Sequence, residues 1–267
     1  MRPRRLALRS AVLIYLAVIL LAPLVMVVAR TFAGGVLPVL RALLSPDTLK
    51  ALALTLEVTA IAVPCNTVFG VLSALALSRP GLPARTLLGA VADLPLALSP
   101  VVVGFALFLL YGRTGWFGGL LAAHGLRVLF APSGMVLATI FVTLPFVLRE
   151  VLPVLRAAGP DQEEAAATLG ATAWQAFWRV TFPRIRSAIA YGMVLTAAFS
   201  LGEYGAVSIV SGQIVGVTET MTIHVQLAYE SFDMPGAYAT ALVLLLLAVL
   251  LLVSMQVLRP KEAAHVH

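Results

Sequence analysis

Residues 237–258 decide the fold class. The stretch Ala237-Tyr-Ala-Thr-Ala-Leu-Val-Leu-Leu-Leu-Leu-Ala-Val-Leu-Leu-Leu-Val-Ser-Met-Gln-Val-Leu258 is apolar, rich in leucine and free of charge. The hydrocarbon core of a bilayer is about 30 Å thick and a helix rises about 1.5 Å per residue, so a crossing helix needs about 20 mostly apolar residues. A helix also satisfies its own backbone hydrogen bonds, which hydrocarbon cannot do. The stretch therefore predicts a transmembrane helix.

Similar apolar stretches occur upstream, at residues 11–28, 58–78, 94–112, 128–148 and 187–210. The first follows a basic N-terminus, as a secretory signal would. Its apolar run is longer than the roughly 7–15 residues of a signal core, and no clear cleavage site follows it, so we expect an uncleaved helix. We predict an all-α, polytopic membrane protein with six transmembrane helices.

The composition excludes several other classes. Hydrophobic residues make up 61% of the 267 residues and charged residues 11%, and the mean hydropathy is +1.01. A soluble enzyme needs more polar residues to cover its surface, and a disordered chain has far fewer apolar ones. The lone Cys65 allows no intrachain disulfide, and the four scattered histidines form no metal-binding pattern.

The distribution of Lys and Arg predicts the orientation, because cytoplasmic loops carry the excess. With the N-terminus inside, thirteen of the eighteen basic residues fall in cytoplasmic segments. The outer segment 211–236 has no basic residue and carries three acids. We therefore expect a multi-pass protein with both termini cytoplasmic. The net charge of +6 is explained by this topology and needs no nucleic-acid partner.

The longest cytoplasmic segment, residues 149–186, is also the most polar. Gly159-Pro160 ends any preceding helix, Asp161 is the expected N-cap, and Glu164 would complete a capping box. A bulky apolar face on the following helix is expected from Leu169, Ala173, Trp174, Phe177 and Trp178. That face is explained either by a helix at the membrane surface or by docking onto a soluble partner.

The spacing of residues in this segment resembles the EAA loop of ABC importer permeases. The matching residues are Glu164-Ala165-Ala166, Gly170 four positions later, Val180, and Phe182-Pro183. Val180 stands where the family has Ile, and Phe182 where it has Leu. The resemblance implies the type I ABC importer permease fold with a coupling helix that docks onto an ATPase subunit.

In such a loop each matching residue has an expected role in coupling to the ATPase. Glu164 would cap and orient the helix, Ala165 and Ala166 would allow close approach, and Gly170 would permit a sharp turn. Pro183 ends the pattern just before the fifth crossing. The implied boundaries are 1–48 for the N-terminus, first helix and outer loop, 49–258 for the permease domain with its coupling loop at 159–184, and 259–267 for a cytoplasmic tail.

Residues from about 49 to 250 resemble the permeases of sulfate/thiosulfate importers, specifically the CysW type. The resemblance rests on residues 55–64, 93–100, 141–150 and 202–212, and Tyr204 departs from the usual Phe. The sister sulfate permease and the molybdate/tungstate permease are the alternatives. The resemblance implies a location in the bacterial inner membrane. It also implies an ATPase dimer, a second homologous permease, a periplasmic sulfate-binding protein and surrounding lipid as partners.

No nucleotide site is visible in the chain itself. A phosphate-binding loop needs Gly-Lys-Ser/Thr, whereas Lys50 follows Leu and Lys261 follows Pro. We therefore expect a subunit that is not an enzyme and holds no cofactor, with ATP and Mg bound by the partner ATPase. A membrane enzyme is disfavoured because no catalytic motif appears, and only the cytoplasmic helix argues against a passive anion channel or facilitator.

Three acids fall within or beside the predicted crossings. Glu57 and Asp93 lie at the ends of theirs, where a solvated or capping role is expected. Glu203 lies deep in the fifth, and an exposed carboxylate in hydrocarbon is costly. We hypothesise a helix interruption that offers backbone N–H groups to the anion, with Glu203 held by an Arg or a Ser; the alternative is an acid satisfied by the partner permease. The candidate path residues are Gly202, Glu203, Tyr204, Gly205 and Ser208.

The outer segment 212–234 is where a binding protein would dock. It contains His224 and Gln226. A loop histidine without a visible partner is expected to be solvated.

Overall fold

The computed structural model describes residues 2–79 and 85–258, and within these ranges the regular structure is helical. The predicted tail 259–267 lies outside the described residues. In chain order the helices are α1 (Arg2–Phe32), α2 (Val36–Leu43), α3 (Pro46–Ser78), α4 (Arg85–Ala97), α5 (Pro100–Tyr111), α6 (Gly118–Ala123), α7 (Pro132–Thr143), α8 (Pro145–Ala158), α9 (Asp161–Thr168), α10 (Ala173–Ala176), a π turn (Phe177–Thr181), α11 (Phe182–Leu201), α12 (Gly205–Ser211), α13 (Met221–Glu230) and α14 (Met234–Leu258).

Six membrane crossings are present when each bent helix pair counts as one. Four helical segments are long and apolar enough to cross alone: Ile14–Phe32, Pro46–Ser78, Pro132–Ala158 and Met234–Gln256. The other two crossings are the pair α4 and α5, and the helix Ala173–Leu201 with α12. The all-α class and the number of crossings predicted from the sequence are therefore confirmed.

The third crossing is not the single helix expected over 94–112. It consists of α4 and α5, which meet at an angle of 106°. Pro100 is the first residue of α5, and a residue that precedes proline is disfavoured in the helical conformation. Because proline also lacks an N–H donor, the helix ends before it and restarts in a new direction.

Two crossings are longer than their apolar runs suggest. The second begins at Pro46 rather than at residue 58, because Ser45 caps it: the Ser45 hydroxyl oxygen accepts a hydrogen bond from the Thr48 N–H at 3.2 Å. The fourth begins at Pro132 and continues through α8 to Ala158. Both helices therefore continue past their apolar runs into more polar residues. A search for apolar runs misses these helix ends.

Close helix packing surrounds Val147 of α8. A Cβ on Gly70 of α3 would lie 2.7 Å from the Val147 Cβ, and one on Gly192 of α11 would lie 2.9 Å from its Cα. Both glycines are buried, and Val147 is fully enclosed. Lipid tails are as apolar as leucine, so membrane helices associate through close van der Waals packing of small residues. The two glycines thus hold α3, α8 and α11 together, and α11 begins within the polar segment 149–186.

Candidate functional site

The segment with the EAA spacing folds as two short helices and a π turn. α9 contains Glu164, Ala165 and Ala166, and α10 and the π turn lead into α11. The apolar residues expected on one helix are thus divided over three elements. Leu169 and Trp174 remain 89% and 70% exposed, and Trp178 is 45% exposed. Large exposed apolar side chains at a loop tip are typical of a contact surface.

The start of α9 differs from the predicted capping box. Pro160 is the N-cap, no side chain caps the helix, and Asp161 is its first residue. The Pro160 carbonyl accepts the first helical hydrogen bond from the Glu164 N–H at 3.0 Å, and the proline side chain has no oxygen with which to cap the helix. The predicted cap at Asp161 and the capping role of Glu164 are wrong. Asp161, Glu163 and Glu164 all lie in the first turn, where the helix dipole favours acids.

Gly170 ends α9 with a left-handed turn. Its φ is +83°. The Gly170 N–H donates to the Ala167 carbonyl, and the Ala171 N–H donates to the Ala166 carbonyl. This pair of bonds is the Schellman motif, which favours glycine because a Cβ is disfavoured at positive φ. A Cβ at Gly170 would meet nothing within 4 Å. The requirement for glycine is therefore conformational and not steric.

Other residues of the loop have roles that the sequence reasoning missed. Thr172 and Gln175 form the capping box that was expected at Asp161, and both of its hydrogen bonds are present. The pattern Thr-x-x-Gln is readable from sequence. The Thr181 hydroxyl donates to the Glu163 carboxylate, which ties α9 to the base of α11. No sequence signal distinguishes Glu163 from Glu164 in this role.

The π turn lies directly before Pro183. The Phe182 N–H bonds to the Phe177 carbonyl, five residues back. Pro183, the second residue of α11, has no N–H with which to continue the α-helical ladder. A π turn inserted before proline keeps the helix continuous from Ala173 to Leu201. The end of the segment with the EAA spacing and the fifth crossing are thus one rod.

The fifth crossing is interrupted at Glu203. α11 ends at Leu201, α12 begins at Gly205, and the two helices meet at 55°. Glu203 is 9% exposed, and its Oε1 accepts a hydrogen bond from the Ala206 N–H at 2.9 Å. The hypothesis that an Arg or Ser holds Glu203 is wrong, because the backbone of α12 does so. That N–H is consequently not offered to an anion.

Close packing against α5 explains the glycine that follows the interruption. A Cβ on Gly205 would lie 2.9 Å from the Pro100 Cβ, and one on Gly104 would lie 2.8 Å from the Ile209 Cβ. The broken ends of the third and fifth crossings therefore touch. Sequence reasoning selected Gly205 but missed Gly104 and Pro100.

The remaining candidate path residues surround this interruption. Gly202 is exposed, and Tyr204 and Ser208 are half-buried. The Ser208 hydroxyl donates to the Gly205 carbonyl at 3.0 Å. Tyr204 lines an open groove of about 510 Å³ between α13 and α14. Thr222 lines the same groove and donates to the Glu203 carbonyl oxygen at 2.9 Å, which ties α13 to the break.

A buried polar cluster surrounds His224 near the start of α13. The His224 Nδ1 lies 2.7 Å from the Glu219 Oε1, and the Nε2 lies 3.0 Å from the Thr48 Oγ1. The Glu219 side chain is 2% exposed and also accepts from the Gly216 N–H. The expectation of a solvated loop histidine is wrong, because His224 lies on α13 and joins it to α3. Gln226 donates to Glu230 on the same helix.

The two other acids near the crossings lie inside helices rather than at helix ends, and both are at least partly exposed. Asp93 lies inside α4 and pairs with Arg149 of α8, with 2.9 Å between Oδ1 and Nε. Glu57 is exposed well inside α3, because that helix begins earlier than its apolar run. Within the described ranges, no three His, Cys, Asp or Glu side chains are grouped so as to hold a metal ion.

Substitutions at Glu203 will separate its acceptor role from its charge. In Glu203→Ala the buried Ala206 N–H loses its partner, which costs about 1–3 kcal/mol of the free energy of unfolding. Glu203→Gln retains an oxygen that can accept the bond. Thermal unfolding of the purified chain in detergent is the measurement. An equal loss in both variants would mean that the charge, and not the cap, stabilises the break.

Comparison with known proteins identifies the family. Residues 66–263 match the family described as binding-protein-dependent transport system inner membrane component. The chain is 47% identical over 253 residues to the sulfate transport system permease protein CysW of Synechocystis sp., covering 95% of this chain and 92% of that protein. Identity to CysW of Escherichia coli (strain K12) is 46% over 236 residues, with 88% and 81% covered. Identity to CysT of the same strain is 38% over 249 residues, with 93% and 90% covered.

Solved structures agree on the fold. A chain of a bacterial alginate ABC transporter, in complex with an alginate pentasaccharide-bound periplasmic protein, superposes with a TM-score of 0.76 at 18% identity. The match covers 94% of this chain and 91% of the other. At this identity the likeness establishes the fold alone, and it confirms the type I permease fold expected from the sequence. The chain is a multi-pass inner membrane protein that belongs to the family of binding-protein-dependent transport system inner membrane components, and within that family to the ABC importer permeases of the CysW type.

Proposed function

We propose that this chain is the membrane-spanning permease subunit of an ATP-driven importer that moves sulfate or thiosulfate delivered by a periplasmic binding protein. The observation that supports this most strongly is its identity to sulfate permeases named CysW along nearly the whole chain. The lower identity to CysT supports the CysW type over the sister sulfate permease.

The energetics of sulfate uptake support an ATP-driven partner. Moving a dianion inward against an inside-negative potential costs about 4.6 kcal/mol per 100 mV, twice the cost for one charge. The sequence contains no phosphate-binding loop with which to supply it. We assign ATP and Mg binding to a dimeric ATPase subunit on the cytoplasmic side.

We assign the coupling role to the loop 159–184, which docks onto that ATPase through its exposed tip. The exposure of Leu169 and Trp174 supports docking, because a loop buried within its own chain would offer no apolar contact. Gly170 sets the turn, Pro183 and the π turn join the loop to α11, and Ala165 and Ala166 let the partner approach closely. The Glu164 carboxylate is exposed in the first turn of α9. The helix dipole stabilises a negative charge at this end, and the carboxylate is available to the partner.

The remaining assignments follow from this orientation. Both termini are cytoplasmic, the permease domain spans 49–258, and a second homologous permease completes the path. The structure solved with a periplasmic protein bound to an ABC transporter of this fold supports a binding protein on the outer side. We assign the path to the interruption at Gly202, Glu203, Tyr204, Gly205 and Ser208, where two crossings break in contact with each other.

Uptake of labelled sulfate tests the substrate. The chain is expressed with its partner subunits in cells that lack their own sulfate uptake. Unlabelled sulfate and thiosulfate should compete with the label, whereas molybdate at the same concentration should not. If molybdate competes as well as sulfate does, the chain is a molybdate-type permease; if uptake persists without ATP, the importer assignment fails.

Substitution of Gly170 tests the coupling role. Gly170→Val places a β-branched residue at φ +83°, which costs about 1–2 kcal/mol in the loop, whereas asparagine tolerates this conformation. We expect Gly170→Val to lower sulfate uptake and transport-stimulated ATP hydrolysis by about tenfold at unchanged membrane levels, as a coupling loss of this size implies. Gly170→Asn is the matched control and should remain close to wild type. Unimpaired uptake by Gly170→Val would contradict the role.

A further inference from the structure

A cavity with four arginines lies at the end of the bundle that carries the coupling loop. Its volume is about 240 Å³, and Arg79, Arg85, Arg156 and Arg184 line it. Arg79 follows α3, Arg85 opens α4, Arg156 lies in the last turn of α8, and Arg184 lies near the start of α11. Four crossings therefore each contribute one arginine to the lining of the same cavity.

Helix electrostatics explain only part of this arrangement. Arg79 and Arg156 stand at the C-terminal ends of α3 and α8, where the helix dipole favours cations. Arg85 is the first residue of α4, where the same dipole disfavours a cation, and it is half-buried. Four like charges that share one cavity also repel each other. An anion bound in the cavity would offset this repulsion.

Within residues 2–79 and 85–258, the carboxylates do not supply that anion. Glu163 is the one acid among the residues that line the cavity. Its carboxylate accepts the hydrogen bond from Thr181, which joins α9 to the base of α11. One engaged carboxylate against four guanidinium groups leaves a net positive cavity.

The shape and chemistry of the cavity fit a tetrahedral oxyanion. Each guanidinium presents a planar fork of N–H donors that matches two oxygens of a sulfate or phosphate group. A water molecule occupies about 30 Å³ of liquid, so the cavity has room for a tetrahedral anion with several waters. Arg79, Arg156 and Arg184 are exposed, so an anion can enter from the aqueous side.

We propose that this cavity is a binding site for a tetrahedral oxyanion at the cytoplasmic ends of α3, α4, α8 and α11, distinct from the membrane interruption at Glu203. The oxyanion is either free in the cytoplasm or is the phosphate of an anionic lipid. Bound there, it bridges the end of α3 and the start of α4 to both ends of the coupling loop. The site depends on the four arginines and not on which anion the importer carries.

The test measures thermal unfolding of the full-length chain in nanodiscs of phosphatidylcholine. Sodium sulfate at low millimolar concentration is compared with sodium chloride at equal ionic strength, so that screening is matched and general salt effects stay small. A second arm replaces part of the phosphatidylcholine with phosphatidylglycerol. The variants are Arg85→Gln with Arg184→Gln, and the control is Arg186→Gln, an exposed arginine of α11 outside the cavity. If the double variant does not fold, Arg79→Gln with Arg156→Gln replaces it.

We expect sulfate or phosphatidylglycerol to raise the unfolding temperature of wild type and Arg186→Gln by about 2 °C or more, and the cavity variants to lose this rise. A rise with sulfate identifies a free oxyanion, and a rise only with phosphatidylglycerol identifies the lipid. No rise with either, or an equal loss in Arg186→Gln, overturns the proposal. This experiment measures anion binding to the chain without the ATPase. A negative result here therefore does not contradict the transport assignment, and a negative result for sulfate uptake does not contradict this site.

Discussion

The constraint on which this structure depends is that backbone polar groups in hydrocarbon must be satisfied from within the protein. Helices satisfy it along most of the chain, and the interruption at Glu203 has to satisfy it in another way. There the Glu203 carboxylate accepts from the Ala206 N–H, while Thr222 donates to the Glu203 carbonyl oxygen. One acid and one hydroxyl thus allow a crossing to break deep in the bundle.

The break and the coupling loop are two ends of one rod. The helix is continuous from Ala173 to Leu201, since the π turn accommodates Pro183, which has no N–H to donate. Gly192 packs against Val147 and holds this rod on α8. On the account proposed here, movement of the loop by the ATPase is transmitted along the rod to the interruption, where α12 contacts the break in the third crossing.

The sequence predicted what depends on composition and spacing, and missed what depends on contacts. Apolar runs were sufficient for six crossings, and the sharp turn that the EAA resemblance implied at Gly170 is present as a left-handed turn. The ion pair of Asp93 with Arg149 and the contacts of His224 with Glu219 and Thr48 join residues far apart in the chain. The cap at Asp161 failed because Pro160 started the helix one residue earlier, although Thr172 and Gln175 carried a readable signal.

The orientation of the loop is tested most directly by the accessibility of its tip. In a Cys65→Ser background, Trp174→Cys places a single thiol on the exposed tip, and Phe232→Cys places one at an 82% exposed position of the opposite side. Both variants are treated with a membrane-impermeant maleimide in intact spheroplasts and in inverted vesicles. The account predicts labelling of Phe232→Cys only in spheroplasts and of Trp174→Cys only in inverted vesicles. Labelling of Trp174→Cys in intact spheroplasts would place the loop outside and contradict coupling to a cytoplasmic ATPase.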